Sequence, residues 1–491
     1  MRLRHEAERA IEGPWDPAVS LELDRAAASE SDAGEKQEAY AQTDAGSAEL
    51  FVDLYADRLR YDHRRGRWLL WSGHYWTADC EAAVRGMAVE ATRTRYRRAE
   101  TIADTKAREL EAKHAIKGES RDKVESVLYF AQSMKPITDR GEGWDLEPHL
   151  LGCTNGIVDL KTGILRPGRP EDRITMTTGI VFDPDAQCPR WIAFLSEVFD
   201  GNNDLVDWLH RAIGHSATGD TSEQIVCILH GDGCNGKSVF CSTLRHALGD
   251  YSHVMPFSTV EEGTRRSIPN DVAALVNRRL VFASETKQDR RLNEARIKEL
   301  TGGDAITARF LKAEWFTFQP ILKPWLAVNH LPRVEDLSFG FWRRVRCVPF
   351  TRQFKGDADD KHLRDTLKAE APGILAWIVR GAVEWYRRGL TPIPDAVQAA
   401  TDQYQRESDD LGEFVTERLF VGEAFTAKAG ALFKDYSSWA DERGMRKDDH
   451  LTATMFGRRM AKRFRKTSDR NGTTYHGVGL RAFDQDGQSH D

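Results

Sequence analysis

Ile225-Val-Cys-Ile-Leu-His-Gly231-Asp232-Gly233-Cys234-Asn235-Gly236-Lys237-Ser238-Val239 begins with five apolar residues, crosses a glycine-rich loop and enters a helix-permissive run with Phe240, Leu244 and Leu248 on one face. It reads as a strand, a phosphate loop and a helix. The loop fits G-x-x-x-x-G-K-[ST]: glycines let backbone N–H groups converge on phosphate oxygens, Lys237 reaches the outer phosphates, and Ser238 can ligate Mg²⁺. The helix behind it adds its positive dipole end. Residues 231–239 are therefore the candidate nucleotide-binding set, with ATP and Mg²⁺ as the expected ligands.

A phosphate-loop ATPase also needs a buried strand ending in a carboxylate that polarises the attacking water. Arg279-Leu-Val-Phe-Ala-Ser284-Glu285 supplies one, at a spacing suited to a neighbouring parallel strand, which makes Glu285 the candidate catalytic acid and, with Ser238, a metal-side residue. A third apolar strand, Pro324-Trp-Leu-Ala-Val328, ends in Asn329, placed to orient water or the γ-phosphate. Between them, Leu300-Thr-Gly-Gly303-Asp304 leads into an alternating hairpin with Arg309 and Lys312 near its tip, where a ring-shaped motor would grip nucleic-acid phosphates. Gly340-Phe-Trp-Arg343-Arg344-Val-Arg346 follows. It reads either as a basic surface strand or as an arginine finger reaching a neighbour's nucleotide, and we favour the finger.

The 491 residues allow three or four folding units, and 40% hydrophobic with 30% charged residues describes a soluble globular chain. A net charge of −6 leaves nucleic-acid binding to local patches. None of the seven cysteines forms a C-x-x-C, so neither a zinc ribbon nor a disulfide framework is indicated and a reducing cytoplasm fits. The first residues lack an apolar targeting core, and the greasiest segment, 373–385, carries Arg380, so no membrane partner is expected.

Taken in order, residues 1–48 are too poor in large apolar side chains to offset ordering entropy and read as a disordered arm. Residues 49–219 read as an N-terminal hairpin and helical domain. Its hairpin aromatics are expected to serve as core first and as a base-stacking platform second, and the basic cluster Arg93, Arg95, Arg97 and Arg98 reads as a solvated face ahead of a DNA contact. Helices are expected over 81–115, 121–133, 191–199 and 204–213, with a chain break over Gly214–Gly219. Residues 220–400 hold the phosphate-loop domain and 401–491 a C-terminal one. From Arg443 to Arg470 ten Lys/Arg stand against three Asp, so a helix over 452–464 presenting Arg458, Arg459, Lys462 and Arg463 is a plausible DNA reader; a solvated or subunit-contacting helix is the alternative.

With these residues in hand, the chain resembles the C-terminal helicase part of phage and plasmid primase-helicases of superfamily 3, relatives of the poxvirus type, from about Phe51 to the end. The resemblance rests on Asn155-Gly-x-Val-Asp-Leu-x-Thr-Gly, the loop 231–238, Ala283-Ser-Glu285, Leu300-Thr-Gly-Gly-Asp304, Asn329-His-Leu-Pro-Arg333 and Phe341-Trp-Arg-Arg344. It implies an α/β fold: a P-loop AAA+-like core behind a mostly helical collar domain and ahead of a winged helix. It further implies a hexameric ring on single-stranded or forked DNA in the cytoplasm of a bacterial host, working with a separate primase or initiator. Lys237 and Ser238 would bind nucleotide and metal, Glu285 would be the Walker B acid, Asn329 sensor 1, and Arg344 the finger with Arg343 the close second. Many such Walker B strands end in two acids, whereas Ser284 precedes Glu285 here, and Asp304 is a candidate to complete the metal's shell. The leading function is an ATP-dependent replicative DNA helicase of a phage or mobile element. The alternatives are a bifunctional primase-helicase or an ATP-gated origin-binding initiator.

Overall fold

The computed structural model describes residues 40–263, 269–285, 290–311, 314–355, 360–445, 447, 450–470 and 472–481. The chain is a mixed α/β protein with a helical N-terminal region, and it divides into two compact units, residues 40–70 with 79–141, and 71–78 with the residues from 142 onward.

In the first unit, the helices Asp44–Tyr55, Ala83–Ala99, Thr105–Gly118 and Arg121–Ala131 accompany the antiparallel pair Leu59–Asp62 and Arg67–Trp71. Phe51, Leu59, Val84, Ala88, Val127 and Ile137 form its core. The first helix begins ahead of residue 49, with Thr43 capping it by accepting from the Gly46 N–H at 3.1 Å; the rest of the expected disordered arm, residues 1–39, lies outside the described residues. Arg95 is buried rather than solvated. It pairs with Glu111 and donates to the carbonyls of Tyr40 (3.0 Å) and Ala41 (2.9 Å), pinning the chain just ahead of the first helix. Arg93 and Arg97 do lie exposed, on Glu119 and Glu90. The expected single helix over 81–115 is two, broken at 100–104, where Asp104 caps the second.

The second unit is built on a five-stranded parallel sheet in the order Val345–Pro349, Val226–His230, Lys323–Val328, Leu280–Glu285, Ser252–Val254. Alternate residues face opposite sides, and both sides are buried. Cys227, Leu229, Leu280, Phe282 and Trp325 join a core with Trp191, Phe194, Trp208, Phe240 and Ile374. Val226, Ile228, Val281, Ala283 and Leu326 join another with Leu300 and Phe341. This burial on two faces explains why the strands read as unbroken apolar runs.

Residues 142–219, expected with the N-terminal domain, contribute Trp191, Phe194 and Trp208 to the sheet's own core. The anticipated break at Gly214 is instead a helix interior, Asn203–Ala217. A Cβ at Gly214 would sit 2.1 Å from the backbone of Gly381 and Ala382, so the glycine permits close crossing with the helix Ala371–Arg388. At the amino ends of the strands, Arg279 donates to the carbonyls of Ala217 (2.9 Å) and Leu150 (2.9 Å), and Lys323 donates to that of Thr218. These buried basic side chains tie the end of the helix Asn203–Ala217 and the strand Leu150–Cys153 to the sheet.

The helix Asp395–Glu407 lies on the edge strand, its Thr401 hydroxyl accepting from the Cys347 N–H at 3.0 Å. Beyond it come the helix Asp410–Arg418, strand Leu419–Lys428, helices Ala429–Glu442 and Ala453–Arg463, and the hairpin Arg465–Asp469 with Gly472–Leu480. Phe414, Leu432, Tyr436, Trp439, Phe456 and Met460 form a separate small core.

Candidate nucleotide site and arginine edge

Parallel register assembles the site. Glu285 stands opposite Val328, and Val328 opposite His230, so Glu285, Asn329 and Gly231 leave the carboxyl edge side by side. The Glu285 strand is not the loop strand's neighbour, as its spacing suggested; Lys323–Val328 lies between them. Adjacency in a parallel sheet is set by long crossovers, which local sequence does not encode.

The loop is braced by the chain leaving the edge strand. Phe350 N–H donates to the His230 carbonyl (2.7 Å), Phe354 N–H to the Cys234 carbonyl (2.7 Å), and the Asn235 amide to the Phe350 carbonyl (3.2 Å). A Cβ at Gly231 would lie 2.1 Å from the Phe350 oxygen, and Gly236 adopts φ +85° with its Cα facing Val198 and Phe194. Both glycines are required by geometry, while Gly233 faces open space. Gly236 gives the helix Lys237–Leu248 no side-chain cap, so its first N–H groups are left for another acceptor.

Lys237 is only 6% exposed, and its ammonium rests on the Gly231 carbonyl and Asn235 Oδ1 (3.2 Å). Burial lowers its pKa, with Asp232 opposing. A buried cation on neutral oxygens, beside uncapped helix N–H groups, fits a phosphate group. Ser238 is exposed in the first helical turn, Asp232 is exposed on the loop, and Val239 packs partly against the core. Glu285 is half-buried, 3.6 Å from the Arg290 Nε, and Arg290 also pairs with Glu261. His230, which the motif passes over, ends the loop strand with its pKa lowered by burial and by Lys237. A polar residue closing an apolar strand just before the loop was its signal.

The arginines lie elsewhere. Val226 N–H donates to the Arg344 carbonyl at 2.8 Å, which places Arg344 at the amino edge, five strand residues or about 16 Å from the loop end of the same strand pair. Arg343 and Arg344 both donate to Gln224 Oε1, Arg344 at 3.2 Å and also to the Gly340 carbonyl. Asp304 is at this edge too: Gln224 Nε2 meets the Gly302 carbonyl at 3.5 Å, and Gly303 faces the Thr221 hydroxyl. It therefore does not complete a metal shell around Glu285 of its own chain.

The expected hairpin forms from Ile306–Ala308 and Phe316–Phe318. Arg309 stacks on Trp315 at 4.8 Å, among the exposed Phe310 and Leu311; Lys312 lies outside the described residues. On the helix Ala453–Arg463 the four basic residues divide by helical spacing. Arg459 donates to the Glu335 carbonyl (3.2 Å) and Arg463 pairs with Asp409, whereas Arg458 and Lys462 are exposed and unpaired among the described residues.

Two family models match: one described as D5 N terminal like, over residues 48–200, and one described as a family of unknown function, DUF5906, over residues 229–344. A putative helicase of Acanthamoeba polyphaga mimivirus is 27% identical over 298 residues, 56% of this chain and 31% of that protein. A putative helicase of Invertebrate iridescent virus 6 is 23% identical over 374 residues, 67% and 38%. A putative primase of African swine fever virus is 23% identical over 303 residues, 56% and 31%. Over these stretches the chain is similar to D5-like viral primase-helicases. The chain spans about a third of the length of the curated relatives it matches. Among solved structures, the apo C-terminal region of NrS-1 aligns with 88% of this chain and 99% of its own length, at 10% identity and TM-score 0.45. No helix among the described residues is long and apolar enough to cross a membrane.

Proposed function

We propose that the D5-like chain is the ATP-driven motor of a viral or phage-type primase-helicase, acting on single-stranded or forked DNA as a ring, with a hexamer as the expected form. The observation that carries this is the convergence of the phosphate loop, Asn329 and Glu285 at one carboxyl edge. The loop strand in second place, with the Asn329 strand between it and the acid, is the order of an AAA+-like core and supports that assignment. The helix–strand–helix–helix–hairpin order after residue 410 supports a winged helix.

MgATP would supply the scissile phosphoanhydride and the metal that neutralises its charge. Lys237 and the first N–H groups of its helix would hold the outer phosphates, and Ser238 would face the metal. Glu285 would take the proton of the attacking water on its carboxylate, and Asn329 would orient that water. Arg344, with Arg343 beside it, would serve a neighbouring copy's site. Arg309 at the hairpin tip and Arg458 and Lys462 on the C-terminal helix would contact DNA phosphates.

The names of the relatives, divided between helicase and primase, favour the bifunctional class over a motor acting alone. The test is strand displacement on forked DNA with ATP, together with stimulation of turnover by single-stranded DNA. Ribonucleotide primer synthesis on a single-stranded template would extend the assignment to priming. Tight sequence-specific duplex binding with DNA-independent turnover would replace the motor by an initiator.

A further inference from the structure

Arg343 and Arg344 share one acceptor, Gln224 Oε1, and neither guanidinium is paired with a carboxylate among the described residues. Arg344 carries the less satisfied charge: its Nε is buried without a hydrogen-bond partner, and burial and Arg343 both disfavour its cationic form. Adjacent cations without an acid are costly unless an anion arrives. Gln224 itself is held at φ +51°, a backbone region uncommon for a long side chain, by a turn in which its N–H donates to the Thr221 carbonyl at 3.0 Å. The next residue, Ile225, is buried at the start of the loop strand, so the amide is aimed by the sheet itself.

We propose that Gln224 is the positioning residue for this arginine pair, a neutral acceptor that orients both guanidiniums while leaving their charge available. The inference rests on the reading that the pair serves a neighbouring copy's nucleotide. A carboxylate at this position would make shorter, charge-assisted bonds and compete with phosphate for the same donors. An amide oxygen holds the fork in place yet yields to an anion. The acceptor's neutrality is thus the functional property, and glutamate, nearly the same shape, is its sharpest perturbation.

The experiment uses the full chain carrying Gln224→Glu, with fluorescent-nucleotide titration to read binding and phosphate release to read turnover. Nucleotide affinity should stay at the wild-type value while kcat falls at least about tenfold, since only the step served by the arginines is affected. Subunit mixing then locates the defect. Gln224→Glu mixed with Glu285→Gln should regain turnover, because some interfaces pair an intact acid with intact arginines, whereas Gln224→Glu mixed with Arg344→Ala should not. Recovery in that second mixture, or wild-type kcat in Gln224→Glu alone, overturns the proposal. Should Gln224→Glu fail to fold, Gln224→Met, which removes the acceptor and adds no charge, is put through the same mixtures with the same expectations. A failure of the finger reading itself registers separately, as no recovery when Arg344→Ala is mixed with Glu285→Gln.

Discussion

The two edges of the parallel sheet are built from the same five strands and do opposite work. At the carboxyl edge the strands stop one residue short of Gly231 and Asn329, and the polar groups that follow are held by backbone contacts such as Phe354 on Cys234. At the amino edge the strands begin against buried basic side chains, Arg279 and Lys323, fixed on carbonyls, with Arg343 and Arg344 both donating to the Gln224 amide oxygen and Arg344 also to the Gly340 carbonyl. One edge therefore collects donors and an acid around a place for phosphate, and the other presents positive charge outward. On the proposed reading, a single copy carries both halves of a phosphoryl-transfer site, on opposite sides of its own sheet.

The largest effects are expected from substitutions at the carboxyl edge. Lys237→Ala should abolish ATP binding, while Glu285→Gln should retain it and lose turnover by about 10²–10⁴, as removal of a general base does. Fluorescence titration and phosphate release separate the two effects, and near wild-type turnover in Glu285→Gln would remove Glu285 from the site. Next comes the loop's backbone. Gly231→Ala would drive a Cβ into the Phe350 carbonyl, so nucleotide affinity should fall by an order of magnitude or more, whereas Gly233→Ala, in open space, should change it little.

The C-terminal helix has two faces of its own. Alanine at Arg458 and Lys462 should each flatten the salt dependence of DNA binding by about one unit of slope, and alanine at Arg459 or Arg463, which face their own chain, should leave that slope unchanged. Titration at several salt concentrations distinguishes the faces. The smallest effect concerns the amino edge. His215 is fully buried, its ring 4.5 Å from that of Trp385, and burial and Lys323 push its pKa well below the usual histidine value. The unfolded chain then binds the extra proton first: the stabilisation is complete above about pH 6.5 and is lost as pH falls toward the folded-state pKa, by at most about 1.4 kcal/mol per pH unit. His215→Phe should flatten the stability–pH profile below 6.5, as read by denaturant melts.

The carboxyl edge was largely legible in the sequence because its residues follow apolar runs directly, and a polar residue closing such a run is a local signal. What could not be read was which strands touch. Glu285 and Gly231 are separated by an intervening strand that comes later in the chain, and nothing in either segment announces it. Gln224 was invisible for a similar reason: it meets Arg343 119 residues away and belongs to no motif. Gly214 misled because a glycine that breaks a helix and one that lets two helices cross are identical as letters; only its partner, Gly381, tells them apart.

Subunit mixing tests whether the site is shared between copies. Arg344→Ala alone should lose about 10³-fold or more in turnover, the scale of a missing trans arginine, with ATP binding retained. Mixed with Glu285→Gln under conditions where subunit exchange is verified, it should regain measurable ATPase activity, since some interfaces then join an intact Glu285 to a neighbour's intact Arg344. No recovery in exchanging mixtures, or full turnover by a confirmed monomer, would contradict the account.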